Sequence, residues 1–355
     1  MFAIEHVFYV SQGDYAVREL YYNGNWWGNN LTADTNGPPA YANSVTSLID
    51  DWNIERVFYV SQGDHHVREL YYSNGKWSPY DITAATGAPP VESPYALTSV
   101  VDKFNNYVCV FYVANNGYVW GLDSHDGKIW YPSNVTAAAN GAPAYANSLT
   151  SFIDIWKIWH VFYVSQGDYN VRELYLNGGW HSGDLSNGRS PDANPGTLTS
   201  FFDSYNIEHV FYVGTDFHVW ELYNNGSWQS NDLTNNTGGP NSYPYALTSF
   251  FENGFEHVFF ISASSNDVYE LYRNGNWVLS DLTTIASGPG AAPYGPASYF
   301  ENGMEHVFYI DNSGQDVYEL YRNTNGCCAW TSSNLTAQTG NIRPDVIDRL
   351  TGFAH

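Results

Sequence analysis

The sequence is poor in cysteine, in cations and in long apolar runs, and each shortage narrows the field. Three cysteines in 355 residues, Cys109 with the adjacent Cys327 and Cys328, supply no disulfide framework. Lys and Arg number 13 against 36 Asp and Glu, a formal charge of −23. That balance excludes nucleic acid and anionic membranes, both of which recruit basic clusters. No apolar run approaches the roughly 20 residues that cross a bilayer. No basic stretch followed by an apolar one precedes the first repeat, so no secretory signal is read and no membrane insertion is expected. Localisation stays open between the cytoplasm and release to the extracellular space. A convincing helical period is also missing.

What is abundant is aromatic surface and repetition. Phe, Trp and Tyr make up 17% of the chain, with 30 Tyr and 13 Trp, and many of these rings must sit half wet because each has a polar handle. The phrase "EHVFYVSQGDYAVRELYYNGNW" from Glu5 returns as "ERVFYVSQGDHHVRELYYSNGKW" from Glu55. Aligned on "VFY", seven copies begin at Val7, Val57, Val110, Val161, Val210, Val258 and Val307. A period near 50 residues built of short strands is the mark of a propeller. Each copy reads as four strands: "LTSF" (Leu149 to Phe152), "HVFYV", "VRELY", and one that starts at a Trp and runs toward "DLT". Alternating β-branched and aromatic residues bounded by Gly, Asn and Asp support those assignments.

The chain enters on a second strand and ends on a spare first strand, "RLTGFAH" from Arg349. Joined, the two complete one blade and remove the open sheet edges of an unclosed array. The expectation is all-β: a seven-bladed β-propeller of four-stranded antiparallel blades, closed by the C-terminal strand completing the first blade, with residues 1–355 forming one domain.

Two columns vary together. The residue before "VFY" is His6, Arg56, Cys109, His160, His209, His257 or His306. The residue before "LY" is Glu19, Glu69, Gly121, Glu173, Glu221, Glu270 or Glu319. Blade three loses both members at once, which suggests that the two side chains meet or serve one visitor. Period-two alternation puts His6 and Phe8 on one face and Val7 and Tyr9 on the other. A cross-strand fastener worth a few tenths to about 1 kcal/mol accounts for the pairing equally well. A Trp opens the fourth strand of every copy: Trp26, Trp77, Trp130, Trp180, Trp228, Trp277 and Trp330. Inter-blade packing is a sufficient reason for it.

These motifs resemble those of the fucose-specific propeller lectins of the Aleuria aurantia type. That family's strands like "VTSW", "IRVY" and "TERCWDGKGW" are matched here by "VTSL" from Val45, "HVFY" or "RVFY", and "RELYYNGNW" from Arg18. The likeness extends over all seven repeats. It implies sugar pockets between blades, in which an Arg and a Glu bind the ring oxygen and hydroxyls while an aromatic ring covers the apolar face. Carried over, the Glu matches Glu19, Glu69, Glu173, Glu221, Glu270 and Glu319, and the Arg matches Arg56. His6, His160, His209, His257 and His306 stand at the Arg place elsewhere. The family Trp matches Trp26, Trp77, Trp180, Trp228, Trp277 and Trp330. Five exchanges of Arg for His keep a donor but lose the bidentate fork. The resemblance implies glycan partners carrying a fucose-like monosaccharide, bound multivalently, with homo-oligomerisation left open.

Other classes fit less well. Glycoside hydrolysis needs two carboxylates in different environments at one place, whereas here one Glu recurs in each blade, so no enzyme is expected. "DSHDG" at Asp123 is a partial echo of a calcium loop and reads as a hairpin turn; no metal and no cofactor are expected. Arg18, Arg68 and Arg172 should lie on the opposite sheet face, solvated or bridging blades. If the His sites hold ligand, binding should change near the imidazole value of about 6.5. The rival to a lectin is a structural or protein-interaction propeller serving as an assembly subunit.

Overall fold

A computed structural model describes residues 4–92, 96–196, 198–324, 329–345 and 348–354. Cys327 and Cys328 lie outside these residues. The strands form seven four-stranded antiparallel sheets with neighbouring strands consecutive in sequence, except in blade one. There Thr351–Ala354 pairs with Glu5–Val10, which leads on to Val17–Tyr22 and Trp26–Asn30. The register Val7↔Gly352 and His6↔Phe353 closes the ring as the sequence ends foretold. Blades two to seven span 46–81, 97–134, 144–184, 199–232, 242–281 and 297–334.

The "HVFY" alternation explains how blades stack. Phe8 and Val10 join Val57, Tyr59 and Leu70 of blade two in one buried cluster. On the other face Val7, Tyr9 and Leu20 pack against Phe308 and Ile310 of blade seven. Every second strand is therefore apolar on both faces, as a sheet covered twice must be. The Tyr hydroxyls also fasten the Gly/Pro loops: Tyr9 donates to Ile342 O at 2.6 Å, and Tyr163 to Ala142 O at 2.9 Å. Around the axis the "TS" of the first strands of blades two to six bonds to neighbouring first strands, as in Thr46–Ser99 at 2.9 Å and Thr98–Ser151 at 2.8 Å.

One element departs from the all-strand reading. Six copies carry a five-residue helix after the fourth strand, such as Leu31–Thr35 and Ile82–Thr86. The Asn or Asp of "NLT" and "DLT" is its N-cap, with Asn30 accepting from Ala33 N. A single turn is too short to show a period in sequence. Its Thr caps the third strand in turn: Val17 N donates to Thr32 Oγ1 at 2.8 Å.

Candidate functional site

Adjacent antiparallel strands bring the two varying columns together. Phe8 pairs with Glu19 and His6 with Tyr21, so His6 and Glu19 are diagonal neighbours on one face. His6 Nδ1–H donates to Glu19 Oε1 at 2.7 Å. The same bond joins His160 to Glu173 at 2.6 Å and His209 to Glu221 at 2.8 Å. It also joins His257 to Glu270 at 2.8 Å and His306 to Glu319 at 2.7 Å. Each imidazole lies against the aromatic ring opposite it on the first strand: Phe353, Phe152, Phe201, Phe250 or Tyr299.

The Trp comes from the next blade. Trp77 meets Phe8 edge-on, Trp228 meets Phe162, Trp277 meets Phe211, Trp330 meets Phe259, and Trp26 meets Phe308 across the closure. Trp130, outside the set matched to the family, stands over Phe58 of blade two, and Trp180 over Phe111 of blade three. Each of the five His sites thus combines a His–Glu pair from one blade with the Trp of its neighbour.

Between blades seven and one this arrangement opens a cavity of about 620 Å³. His306 and Glu319 lie at its floor, 3% and 4% exposed, with Trp26 and Tyr22 forming a wall. Glu5 and Glu301 add two carboxylates, and Gln338 reaches in from the short helix. A smaller cavity of about 360 Å³ accompanies His257, with Tyr272 and Arg322 in its lining. Arg322 comes from blade seven, stacks 4.8 Å above Trp330, and lies 3.6 Å from Glu270. A guanidinium therefore enters this site from a place that sequence matching does not indicate.

Two groups of carboxylates were not read from the sequence. Asp154 lies 3.5 Å from His160 Nε2, and Asp203 the same distance from His209 Nε2. The Glu preceding the His column reaches back to the previous blade: Glu5 lies 3.5 Å from His306, Glu208 3.6 Å from His160, and Glu256 3.6 Å from His209. Burial pulls the imidazoles down, but bonds to Asp154 and Glu173 and the Glu208 charge outweigh it and raise His160 to about 9. His209 is likewise raised to about 9 against burial, by Asp203, Glu221 and Glu256. Burial raises Glu5 and Glu208 to about 7. His160 and His209 are therefore held as imidazolium ions at neutral pH, their titration moved well above the ordinary value near 6.5.

Blade two is different. Arg56, 1% exposed, donates from Nε to Asp50 at 2.7 Å and from a terminal nitrogen to Glu69. It also donates to Gly127 O at 3.3 Å, from the hairpin of blade three. Gly127 has φ +64, and a side chain there would overlap the guanidinium. That hairpin is the "DSHDG" turn: Asp126 accepts from Lys128 N and Ile129 N, both at 2.9 Å. Arg18 bridges blades through Asn341 at 3.0 Å, while Arg68 and Arg172 pair with acids of their own blades.

No family model matches the chain, and no curated relative matches it in sequence. Solved structures do. The BP39L lectin of Burkholderia pseudomallei shares 18% identity over 92% of this chain and 94% of its own, with a TM-score of 0.70. The Aleuria aurantia lectin in complex with Fucα1-6GlcNAc shares 16% over 86% and 98%, with a TM-score of 0.56. AofleA of Arthrobotrys oligospora shares 12% over 89% of each chain, also at 0.56. At these identities the likeness shows the propeller fold; the Aleuria protein has six blades where this ring has seven.

Proposed function

We propose that this protein is a carbohydrate-binding member of the fucose-specific propeller lectins, taking a fucose-like monosaccharide between its blades. The observation that carries this reading is the cavity between blades seven and one. A sugar presents hydroxyls that need paired donors and acceptors, and a C–H face that needs an aromatic plane. His306 and Glu319 supply the first and Trp26 the second, the few placed polar groups and aromatic lining of a small-ligand site. By the same geometry His6 and Glu19 work with Trp77, His160 and Glu173 with Trp228, His209 and Glu221 with Trp277, and His257 and Glu270 with Trp330. The fucose-containing disaccharide held by the Aleuria lectin supports the ligand class. Several weak sites on one rigid ring would gain by avidity at a glycan-coated surface.

For blade two the observations favour the fastener instead. Arg56 Nε and Nη1 donate to Asp50, Glu69 and Gly127, and the blade-three hairpin stands against it. A glycan array followed by titration with methyl α-L-fucoside tests the reading. Saturable binding that weakens in His306→Ala supports it, and silence across the array leaves an assembly subunit.

A further inference from the structure

The blade-three site has not merely decayed; its chemistry has been exchanged. His becomes Cys109 and Glu becomes Gly121, but two residues on, where blade one has Tyr21, stands Asp123. Residues i and i+2 share a face, so the acid has moved along the strand rather than vanished. Asp123 pairs directly with Cys109 across the sheet. The neighbouring blade changes too. Where five other blades place a Glu before the His column, blade four places Trp159.

The outcome is a cavity of about 420 Å³ walled by Tyr107, Phe111, Trp159 and Trp180. The rings stand nearly at right angles: Tyr107 to Trp159 at 79°, Phe111 to Trp159 at 80°, and Phe111 to Trp180 at 85°. Asp102 also lines it, but its carboxylate already accepts from Trp159 Nε1 at 2.9 Å and from Phe104 N and Asn105. Asp123 has no hydrogen-bond donor among the described residues; burial raises its pKa, and the nearby His125 lowers it in part. The cation at the rim, Lys157, sits over the Phe104 ring at 5.3 Å. Two carboxylates against one ammonium leave the site negative.

We propose that the cavity between blades three and four is a second kind of binding site, an aromatic box for a compact organic ammonium ion whose charge faces Asp123. Aromatic faces attract a cation through the ring quadrupole, most strongly where water is excluded. With His and Glu gone, the imidazole left near Asp123 is His125, whose ring lies 3.5 Å from that of Tyr107 and which makes no ion pair with the carboxylate among the described residues. The site is separate from the sugar pockets in both residues and ligand class.

Calorimetric titration with choline chloride, set beside its uncharged carbon isostere dimethylbutanol, tests this on the full chain. Choline should bind one equivalent per chain, and the isostere at least about tenfold more weakly, since it lacks the charge that Asp123 and the rings attract. Asp123→Asn should weaken choline by about tenfold or more while leaving the isostere unchanged. No choline heat, equal affinity for the two probes, or an unaltered Asp123→Asn would overturn the proposal. Because the isostere comparison uses the wild-type chain, it holds even if the variant folds poorly. Methyl α-L-fucoside should not compete, so a failure of the sugar reading would leave this result intact.

Discussion

Stability should fall steeply as pH rises through neutrality, against the common pattern of a plateau there. His160 and His209 stand at about 9 in the folded chain, above the unfolded value of 6.5. Groups raised in this way contribute fully below the unfolded value and lose that contribution as pH rises through the folded one. Glu5 and Glu208, at about 7 against 4.5, act in the same direction over a lower window. At pH 7 each of these two histidines retains about 0.75 proton more than its unfolded counterpart, and each Glu about 0.5. These four groups then hold about 2.5 extra protons, and Glu69 and Asp348, raised by burial to about 7, add about one more, a loss of about 4–5 kcal/mol per pH unit near neutrality. Urea unfolding followed by tryptophan fluorescence at pH 6, 7 and 8, at fixed ionic strength, measures the slope directly. His160→Gln should remove roughly a fifth of it. A stability that stays flat or rises between pH 6 and 8 would refute the charge assignment of the His sites.

Glu319→Gln keeps an acceptor for His306 but removes the charge, so it should lower stability by about 1 kcal/mol and weaken fucoside binding at that pocket, read by calorimetric stoichiometry. Arg56→Ala strands the buried Asp50 and Glu69 and should cost about 3–5 kcal/mol in urea melts while leaving the fucoside stoichiometry unchanged. Fucoside affinity at the His209 site should show no imidazole step near 6.5 and should decline toward pH 9, since the ring remains charged until then; a step near 6.5 that His209→Gln abolishes would show that it titrates as an ordinary histidine. Trp26→Ala should reduce binding at the blade seven–one pocket about tenfold or more in the same titration, by removing its aromatic wall.

The ring itself was legible because its signals are local and repeated: the "VFY" period, the turn residues and the spare strand at Arg349. The His–Glu contact was legible for a related reason, since Cys109 and Gly121 change together within one repeat. Relations that cross a blade boundary were hidden. The column before the His reads Glu5, Glu55, Val108, Trp159, Glu208, Glu256 and Glu305, and its two losses fall one blade after Arg56 and Cys109. Compared within a repeat those changes look unrelated; in the ring, Glu208 faces His160 and Trp159 faces the cavity beside Cys109. The same offset concealed which Trp serves which pocket. Arg322 was missed because nothing in one repeat shows that a third-strand side chain folds onto Trp330. Arg56, the one match to the family arginine, proved enclosed, and the hairpin that touches it belongs to the next blade.

The most direct test of a sugar site is a crystal structure grown with methyl α-L-fucoside. Density for the pyranose should lie between blades seven and one, its hydroxyls on His306 and Glu319 and its C–H face on Trp26. Inter-blade cavities left with solvent alone at saturating fucoside would contradict the account.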